Sequence, residues 1–152
     1  MVRLVLAAVR RGPAIPPVIL FYDDCCGFCM WTVAFVLRAD RNGVVRTRAI
    51  QSPEGESRLG DLAPGVRLAS WHMVDARGAR WSGGGVFAPL AAQLSRFARL
   101  AVWIARAPRL TNLGYRAIAS QRVRLSTLVP DASKDRARAA VKAHSGVEPT
   151  AL

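Results

Sequence analysis

Cysteine is scarce in this chain, and the cysteines that are present lie together. The 152 residues include only Cys25, Cys26 and Cys29. Small secreted domains that depend on disulfides use a larger, even set spread along the sequence, so that class is excluded. A structural zinc site usually takes two ligand pairs, and the chain has no second Cys-x-x-Cys pair. One isolated dithiol suits a reducing compartment, and we expect the protein to be cytoplasmic.

Acidic residues are also few, and a long part of the chain has none. There are 22 Lys and Arg against 10 Asp and Glu, which gives a formal net charge of +12. No Asp or Glu occurs from Ala76 to Pro130, where nine arginines lie. Such a segment attracts nucleic acid, anionic lipid or an acidic protein, but a solvated arginine-rich surface without a dedicated partner is more common. No zinc-finger, RNP or Gly-x-x-Gly signature supports nucleic acid.

Long apolar runs are absent as well. No segment approaches the roughly 20 apolar residues that cross a bilayer. The apolar run Leu4 to Val9 is short for a signal sequence, and two arginines follow it. We therefore interpret residues 1–17 as an N-terminal extension that ends in a breaker-rich linker.

From residue 18 onward, strand-like and helix-like patterns alternate. Val18–Tyr22 is a continuous β-prone run, typical of a buried strand, and a helical pattern follows from Gly27 to about Ala39. A strand over Val44–Ile50 is expected to run parallel to the first, with that helix as the crossover. A short helix near Glu56–Leu62 is predicted next. A third strand over Leu68–Val74 then turns through a hairpin into residues 79–82.

The second half of the chain is predicted to be mainly helical. An apolar face predicts one helix over Phe87–Ala107, which Pro108 ends. Thr111 is placed to cap another helix that reaches about Gln121.

The order of elements predicts an α/β fold. A βαβ unit followed by a ββα unit, with Cys-x-x-Cys at the first strand-to-helix junction, is the thioredoxin-like plan around a central mixed sheet. We assign residues 18–125 to this domain, with additional C-terminal helices, and residues 126–152 to a polar tail. Within the tail, 131–144 is expected to form a surface helix.

Cys26 and Cys29 carry the predicted chemistry. The partial positive charge at a helix N-terminus favours a thiolate, which is the nucleophile in disulfide exchange. Cys26 lies nearest to the expected helix start, so we assign it the attacking role and Cys29 the resolving role. Asp23 and Asp24 oppose this ionisation, and no His, Lys or Arg lies in the motif to offset them.

Neighbouring side chains are auxiliary candidates. Asp23 either caps the junction or accepts a proton during exchange. Cys25 either captures mixed disulfides or is a partly buried residue at the strand end. Trp31, with Phe28, would form an apolar rim beside the sulfur. His72 is placed to face the dithiol from the third strand, although a histidine in an apolar strand is more often a packed residue.

The expected substrate is a disulfide-containing protein or a small thiol compound, with an unidentified reductant and no cofactor beyond the dithiol. A metal site has weaker support, because Cys25, Cys26, Cys29 and His72 would be an irregular ligand set. A non-catalytic thioredoxin-like module, which binds an anionic partner through a basic helical face, is the main alternative. The helix 87–107, with Arg96, Arg99, Arg106 and Trp103, is its candidate for peripheral membrane contact, although a core-packing helix fits the same pattern.

The stretch Tyr22-Asp23-Asp24-Cys25-Cys26-Gly27-Phe28-Cys29 has a recognisable pattern. It resembles the opening motif of the DCC thiol-disulfide oxidoreductase family, small thioredoxin-like proteins of mostly undefined substrate. Tyr22, Asp23, Cys26 and Cys29 match, whereas Asp24 stands where the family has Gly, and Cys25 where Asp is common. Further similarity lies at 71–78, 83–85 and 115–122. The resemblance spans about Val18 to Leu125 and implies thiol–disulfide exchange through Cys26 and Cys29.

Overall fold

The computed structural model describes residues 16–94 and 97–145. The predicted extension up to residue 15 and the chain end from residue 146 lie outside the described residues, as do Ser95 and Arg96.

Four strands form one mixed sheet in the order β2-β1-β3-β4. They are β1 (Val18–Tyr22), β2 (Val45–Ala49), β3 (His72–Asp75) and β4 (Arg80–Ser82). β1 pairs with β2 in parallel and with β3 antiparallel, and β3 pairs with β4 antiparallel. In this register Leu20 lies opposite Thr47 on β2 and Met73 on β3. The βαβ unit, the hairpin and the mixed sheet that the sequence predicts are confirmed.

Eight α-helices surround the sheet within the described part of the chain. They are α1 (Gly27–Ala39), α2 (Pro53–Leu59), α3 (Pro64–Ala69), α4 (Phe87–Gln93), α5 (Ala98–Arg106), α6 (Pro108–Ser120), α7 (Arg122–Leu128) and α8 (Asp131–Ser145). A 3-10 turn, Gly83–Val86, connects β4 to α4. None of these helices combines the length and the hydropathy needed to cross a membrane.

The helix α1 is the crossover between the parallel strands, and it covers one face of the sheet. Its Met30 is buried with Leu20 and Met73 in the main core. Phe21 and Val74 point the other way, since successive strand residues alternate between faces, and they pack in a smaller cluster. Fully burying one such side chain stabilises the fold by about 1.5–3 kcal/mol, so this core fixes where the two ends of α1 lie.

The third strand is shorter than predicted. The prediction began it at Leu68, but Pro64–Ala69 is the helix α3 and the strand starts at His72. Proline suits the first turn of a helix, where its missing N–H leaves no bond unmade. Pro53 and Pro108 likewise begin α2 and α6. For the same reason Thr111 is not an N-cap.

The predicted helix 87–107 is not continuous. Leu94 has an extended backbone (φ −88°, ψ 102°) that ends α4, and α5 begins at Ala98. Leu94 is buried in the main core, and Phe97 packs against the same cluster. Packing of Leu94 into the core takes precedence over the helical periodicity of the sequence.

The C-terminal helix α8 packs into the body of the domain. It contacts α1 and β2, and its Ala137 and Val141 belong to the main core. The predicted helix over 131–144 is confirmed and most of its residues are exposed, but its buried residues attach this part of the predicted polar tail to the core. The apolar stripe on α8 is narrow, because two small residues one turn apart supply its buried contacts amid charged neighbours.

Candidate functional site

Cys26 is the N-cap residue of α1. Its backbone is extended (φ −97°, ψ 107°), and its sulfur accepts a hydrogen bond from the Cys29 backbone N–H at 3.3 Å. The first N–H groups of a helix have no partner inside the helix, so a negatively charged sulfur is stabilised at this position. The carbonyl of Asp23 accepts a bond from the Cys26 N–H at 3.3 Å, which closes the turn between β1 and α1.

Cys26 and Cys29 differ in acidity. Hydrogen bonds from the thiol and the backbone of Cys29, together with the charge of Arg122, lower the pKa of Cys26 to about 6, although burial and Asp23 act in the opposite direction. The hydrogen bond to Cys26 and burial raise the pKa of the Cys29 thiol. Cys29 is only 8% exposed, whereas Cys26 is half-buried. At neutral pH, Cys26 is thus a thiolate and Cys29 a protonated thiol.

Arg122 supplies the positive charge that the motif itself lacks. It begins α7, donates a hydrogen bond to the Leu68 carbonyl at 3.0 Å, and lies 3.9 Å from a carboxylate oxygen of Asp23. Its charge lowers the pKa of both Cys26 and Cys29. Sequence reasoning did not single it out, because it is one of nine arginines in the acid-free segment and only the packing of α7 against α1 brings it here.

Asp23 holds the turn before the helix. Its side chain accepts hydrogen bonds from the Cys25 backbone N–H at 3.1 Å and from the Gln51 amide at 2.7 Å. Gln51 in turn accepts from the Asp24 backbone N–H at 3.4 Å. The capping role that was one option for Asp23 therefore belongs to Cys26. No described non-glycine residue has a positive φ, so Asp24 fits the turn without backbone strain.

Cys25 is the most exposed of the three thiols. Its sulfur lies 3.5 Å from a carboxylate oxygen of Asp24 and 4.0 Å from the side-chain nitrogen of Gln51. The hydrogen bond to Asp24 and the charge of that carboxylate raise the pKa of the Cys25 thiol. Cys25 is therefore accessible but protonated at neutral pH, which distinguishes it from Cys26.

A largely apolar cavity of about 270 Å³ opens beside Cys29. Phe28 and Trp31 of α1 form one wall, with ring centroids 6.3 Å apart. The Tyr115 hydroxyl accepts a hydrogen bond from the Trp71 backbone N–H at 2.8 Å and fixes the opposite wall. The remaining lining residues are Asp23, Thr32, Leu68, Ala69, Ser70, Phe87, Ile118, Ala119 and Arg122.

His72 does not face this cavity. It lies on the side of β3 away from Met73, which packs with α1, and it is fully buried. Its Nε2 contacts the Arg67 carbonyl at 2.9 Å and its Nδ1 contacts the Ser82 hydroxyl at 2.7 Å. A carbonyl only accepts, so Nε2 carries the proton and Nδ1 accepts from Ser82. Burial lowers the pKa of His72, and the ring is a neutral packing residue.

The irregular metal set weighed from the sequence does not assemble, because His72 points away from the cysteines. Across the described ranges, metal-ligating atoms of three or more side chains converge at Asp23, Asp24 and Cys25. Two of these three residues are exposed, and hydrogen bonds within the turn account for the closeness of the three side-chain atoms.

The chain matches a known family over most of its length. The model described as DCC1-like thiol-disulfide oxidoreductase matches residues 20–128, which include β2, β3, β4, most of β1, the three cysteines and Arg122. No match was found among curated proteins or among solved structures. The mixed sheet with the Cys-x-x-Cys pair at the β1–α1 junction agrees with the thioredoxin-like fold. The chain therefore belongs to the DCC1-like thiol-disulfide oxidoreductase family.

Proposed function

We propose that the protein is a thiol–disulfide oxidoreductase of the protein-disulfide reductase type, with Cys26 as nucleophile and Cys29 as resolving thiol. The observation that carries the proposal is the N-cap geometry. A half-buried Cys26 sulfur accepts the Cys29 N–H and has a pKa of about 6, next to a buried, protonated Cys29. An accessible thiolate beside a second thiol is the arrangement that disulfide exchange requires.

The reaction proceeds by two exchanges. The Cys26 thiolate attacks one sulfur of the substrate disulfide, a mixed disulfide forms, and the other substrate sulfur leaves as a thiolate. Because Cys26 then no longer carries charge, the hydrogen bond and the repulsion that raise the Cys29 pKa are removed. Cys29 loses its proton and attacks the Cys26 sulfur, which releases the reduced substrate. Two electrons pass to the substrate, and an external dithiol has to return them to the Cys26–Cys29 disulfide.

The cavity beside Cys29 supports a role in substrate docking. Its walls are mainly aromatic and aliphatic, with Arg122 and Asp23 as its charged residues. An apolar group next to the substrate disulfide gains about 25 cal/mol for each Å² that it removes from water there. Trp31 and Phe28 are the side chains that would contact such a group first beside the sulfur.

Single cysteine variants test the proposal. We expect Cys26→Ser to reduce dithiothreitol-driven insulin reduction to the uncatalysed rate, because serine offers no thiolate. Cys25→Ser is the matched control, since it changes the adjacent thiol, and it should retain most of the activity. Cys29→Ser should still attack and should accumulate a mixed disulfide with the substrate, which mass spectrometry detects.

Two outcomes would contradict the proposal. One is a Cys26→Ser variant that reduces insulin at the wild-type rate. The other is peptide mapping of the oxidised protein that finds a Cys25-linked dimer instead of a Cys26–Cys29 bond with Cys25 free.

A further inference from the structure

The successive helices α5 and α6 expose large apolar side chains to solvent. Trp103 is 68% exposed, Leu110 is 70% exposed and Leu113 is 66% exposed. A single exposed leucine is ordinary, but a cluster of large apolar side chains at this exposure marks an interaction surface. We define the α5–α6 face as the exposed residues Arg99, Leu100, Val102, Trp103, Arg106, Arg109, Leu110, Leu113 and Arg116.

Arginine and apolar residues alternate on this face at helical spacing. Arg99, Trp103 and Arg106 lie one turn apart on α5, and the Arg106 guanidinium is 5.9 Å from the centre of the Trp103 ring. Arg109 and Arg116 flank Leu113 on α6 in the same way. Within the described chain, no carboxylate forms an ion pair with these arginines. The face therefore combines uncompensated positive charge with exposed apolar area.

We propose that the α5–α6 face binds the surface of a bilayer that contains anionic phospholipid. Tryptophan and leucine side chains partition into the boundary between headgroups and acyl chains, while the guanidinium groups pair with lipid phosphates. The arginine stems lie along the apolar surface and keep their charged ends in the headgroup layer. In this proposal both helices, which are 9 and 13 residues long, lie flat on the membrane.

Charge and apolar area favour a lipid surface over three other occupants of the α5–α6 face: a second copy of the chain, its own N-terminal residues and a nucleic acid. A second copy of the face would place arginines against arginines, since residues 76–130 contain no Asp or Glu. The N-terminal residues 1–15 do not complement it either, because they include Arg3, Arg10 and Arg11 and no acidic residue. A nucleic acid would satisfy the arginines but would leave Leu110 and Leu113 in water.

The proposal also has a consequence for the dithiol. The inner side of α6 contributes Tyr115 and Ile118 to the cavity beside Cys29, and its outer side contributes Leu113 to the α5–α6 face. A helix with its side chains is about 10 Å across, so a membrane-bound protein holds the cavity one helix width from the bilayer.

Vesicle co-sedimentation of the full, reduced chain tests this proposal. Vesicles of phosphatidylcholine with about one third phosphatidylglycerol should sediment the protein, and vesicles of phosphatidylcholine alone should not. Arg106→Gln with Arg109→Gln should weaken binding about twenty-fivefold, since each cation near an anionic surface is worth about 1 kcal/mol, or about fivefold. Arg41→Gln with Arg77→Gln, which are exposed and lie in loops away from α5 and α6, is the matched control.

Apolar variants separate insertion from charge attraction. Leu110→Ser with Leu113→Ser should lower binding at least tenfold, whereas Phe35→Ser, which changes a half-exposed apolar side chain on α1, should not. Binding should shift tryptophan emission to the blue, and Trp103→Phe should remove most of that shift. Cys26→Ser should bind as the wild type does, so loss of thiol chemistry and loss of membrane binding are distinguishable.

Three results would overturn the proposal. These are equal binding to neutral and anionic vesicles, unchanged binding by both the arginine and the leucine variants, and tighter binding of an oligonucleotide or polyglutamate than of anionic vesicles.

Discussion

The pKa of the Cys26 thiol falls from 9.0 to about 6, and its causes differ in size. The charge at a helix N-terminus is usually worth 0.3–1 kcal/mol, which is less than one pKa unit. The larger causes are the hydrogen bonds that the thiol and the backbone N–H of Cys29 donate to the Cys26 sulfur. Helix position alone therefore does not account for the reactivity of Cys26, and the side chain of its partner matters more.

The pH dependence of alkylation follows from this pKa. The rate of Cys26 alkylation by iodoacetamide should rise as the pH increases through about 6 and should level off above it, because only the thiolate reacts. Cys25, with a raised pKa, should react appreciably only at alkaline pH. Peptide mapping after timed alkylation separates the two thiols.

Arg122→Gln should move the midpoint of the pH dependence of Cys26 alkylation to higher pH, since the charge of Arg122 lowers the pKa of Cys26. Arg124→Gln, two residues further along α7 and exposed, is the control that should leave the midpoint in place. Equal midpoints in both variants would contradict the role given to Arg122.

At the residue scale, the spacing in the sequence was enough to place Cys26 at the start of α1 and Cys29 in its first turn, while their roles in exchange stay a prediction. The placement of His72 and Arg122 could not be read in this way. The side chain of a strand residue points to one of the two sheet faces according to the register of the strand. This register places His72 on the sheet face that points away from the dithiol. Arg122 reaches the motif through the packing of α7, which no local pattern specifies.

At the scale of elements, the 3-10 turn Gly83–Val86 packs against α6, the helix that contributes Tyr115 and Ile118 to the cavity. A Cβ on Gly84 would lie 2.6 Å from the Asn112 Cα, so only glycine permits this approach. The Gly84 N–H donates to the Asn112 side-chain oxygen at 3.1 Å. This contact holds α6 in the position in which the Tyr115 hydroxyl accepts a hydrogen bond from the Trp71 N–H.

Gly84→Ala should destabilise the domain by about 1–3 kcal/mol, because the added methyl group would clash with backbone atoms of Asn112 and α6 would have to move. Gly85→Ala is the matched control, since a Cβ added there would meet nothing within 4 Å beyond its chain neighbours, and it should change the free energy of unfolding little. Urea denaturation measures both. A Gly84→Ala variant as stable as the control would argue against close packing at this turn.

The sequence predicts an element well when its pattern of apolar residues matches the residues that are buried in the structure. Val18–Tyr22 and Gly27–Ala39 are confirmed with the predicted bounds. The predicted helix 87–107 is wrong at its middle, where the burial of Leu94 bends the chain. The start of α6 was missed because Pro108 was taken only as a terminator, although proline also suits the first turn of a helix.

At the scale of the whole molecule, α8 completes the domain. Its last turn is bound to β2, since His144 contacts the Val45 carbonyl at 2.9 Å and Arg48 donates to the Ser145 carbonyl at 3.0 Å. Val141 is fully buried in the main core. The family match ends at residue 128, but the packing of this chain continues through α8. The sequence predicts this helix but not its packing into the core, because only Ala137 and Val141 are buried among polar neighbours.

Val141→Ala should lower the free energy of unfolding by about 2 kcal/mol, from the lost transfer energy and the cavity left behind. Val123→Ala removes the same atoms from a side chain that is 75% exposed and should cost less than about 0.5 kcal/mol. Thermal or urea unfolding compares the two. Equal stabilities would mean that α8 does not pack against α1 in solution.

The hydrogen bonds that hold Cys26 as a thiolate also govern how readily the protein gives up its electrons. They stabilise the reduced state, and they are lost when the Cys26 sulfur enters a disulfide. A contact that stabilises only the reduced form raises the reduction potential of the pair. In the proposed reaction, the N-cap of α1 therefore makes attack by Cys26 faster and electron transfer to the substrate less favourable, and the potential of the donor that regenerates the dithiol would set the turnover.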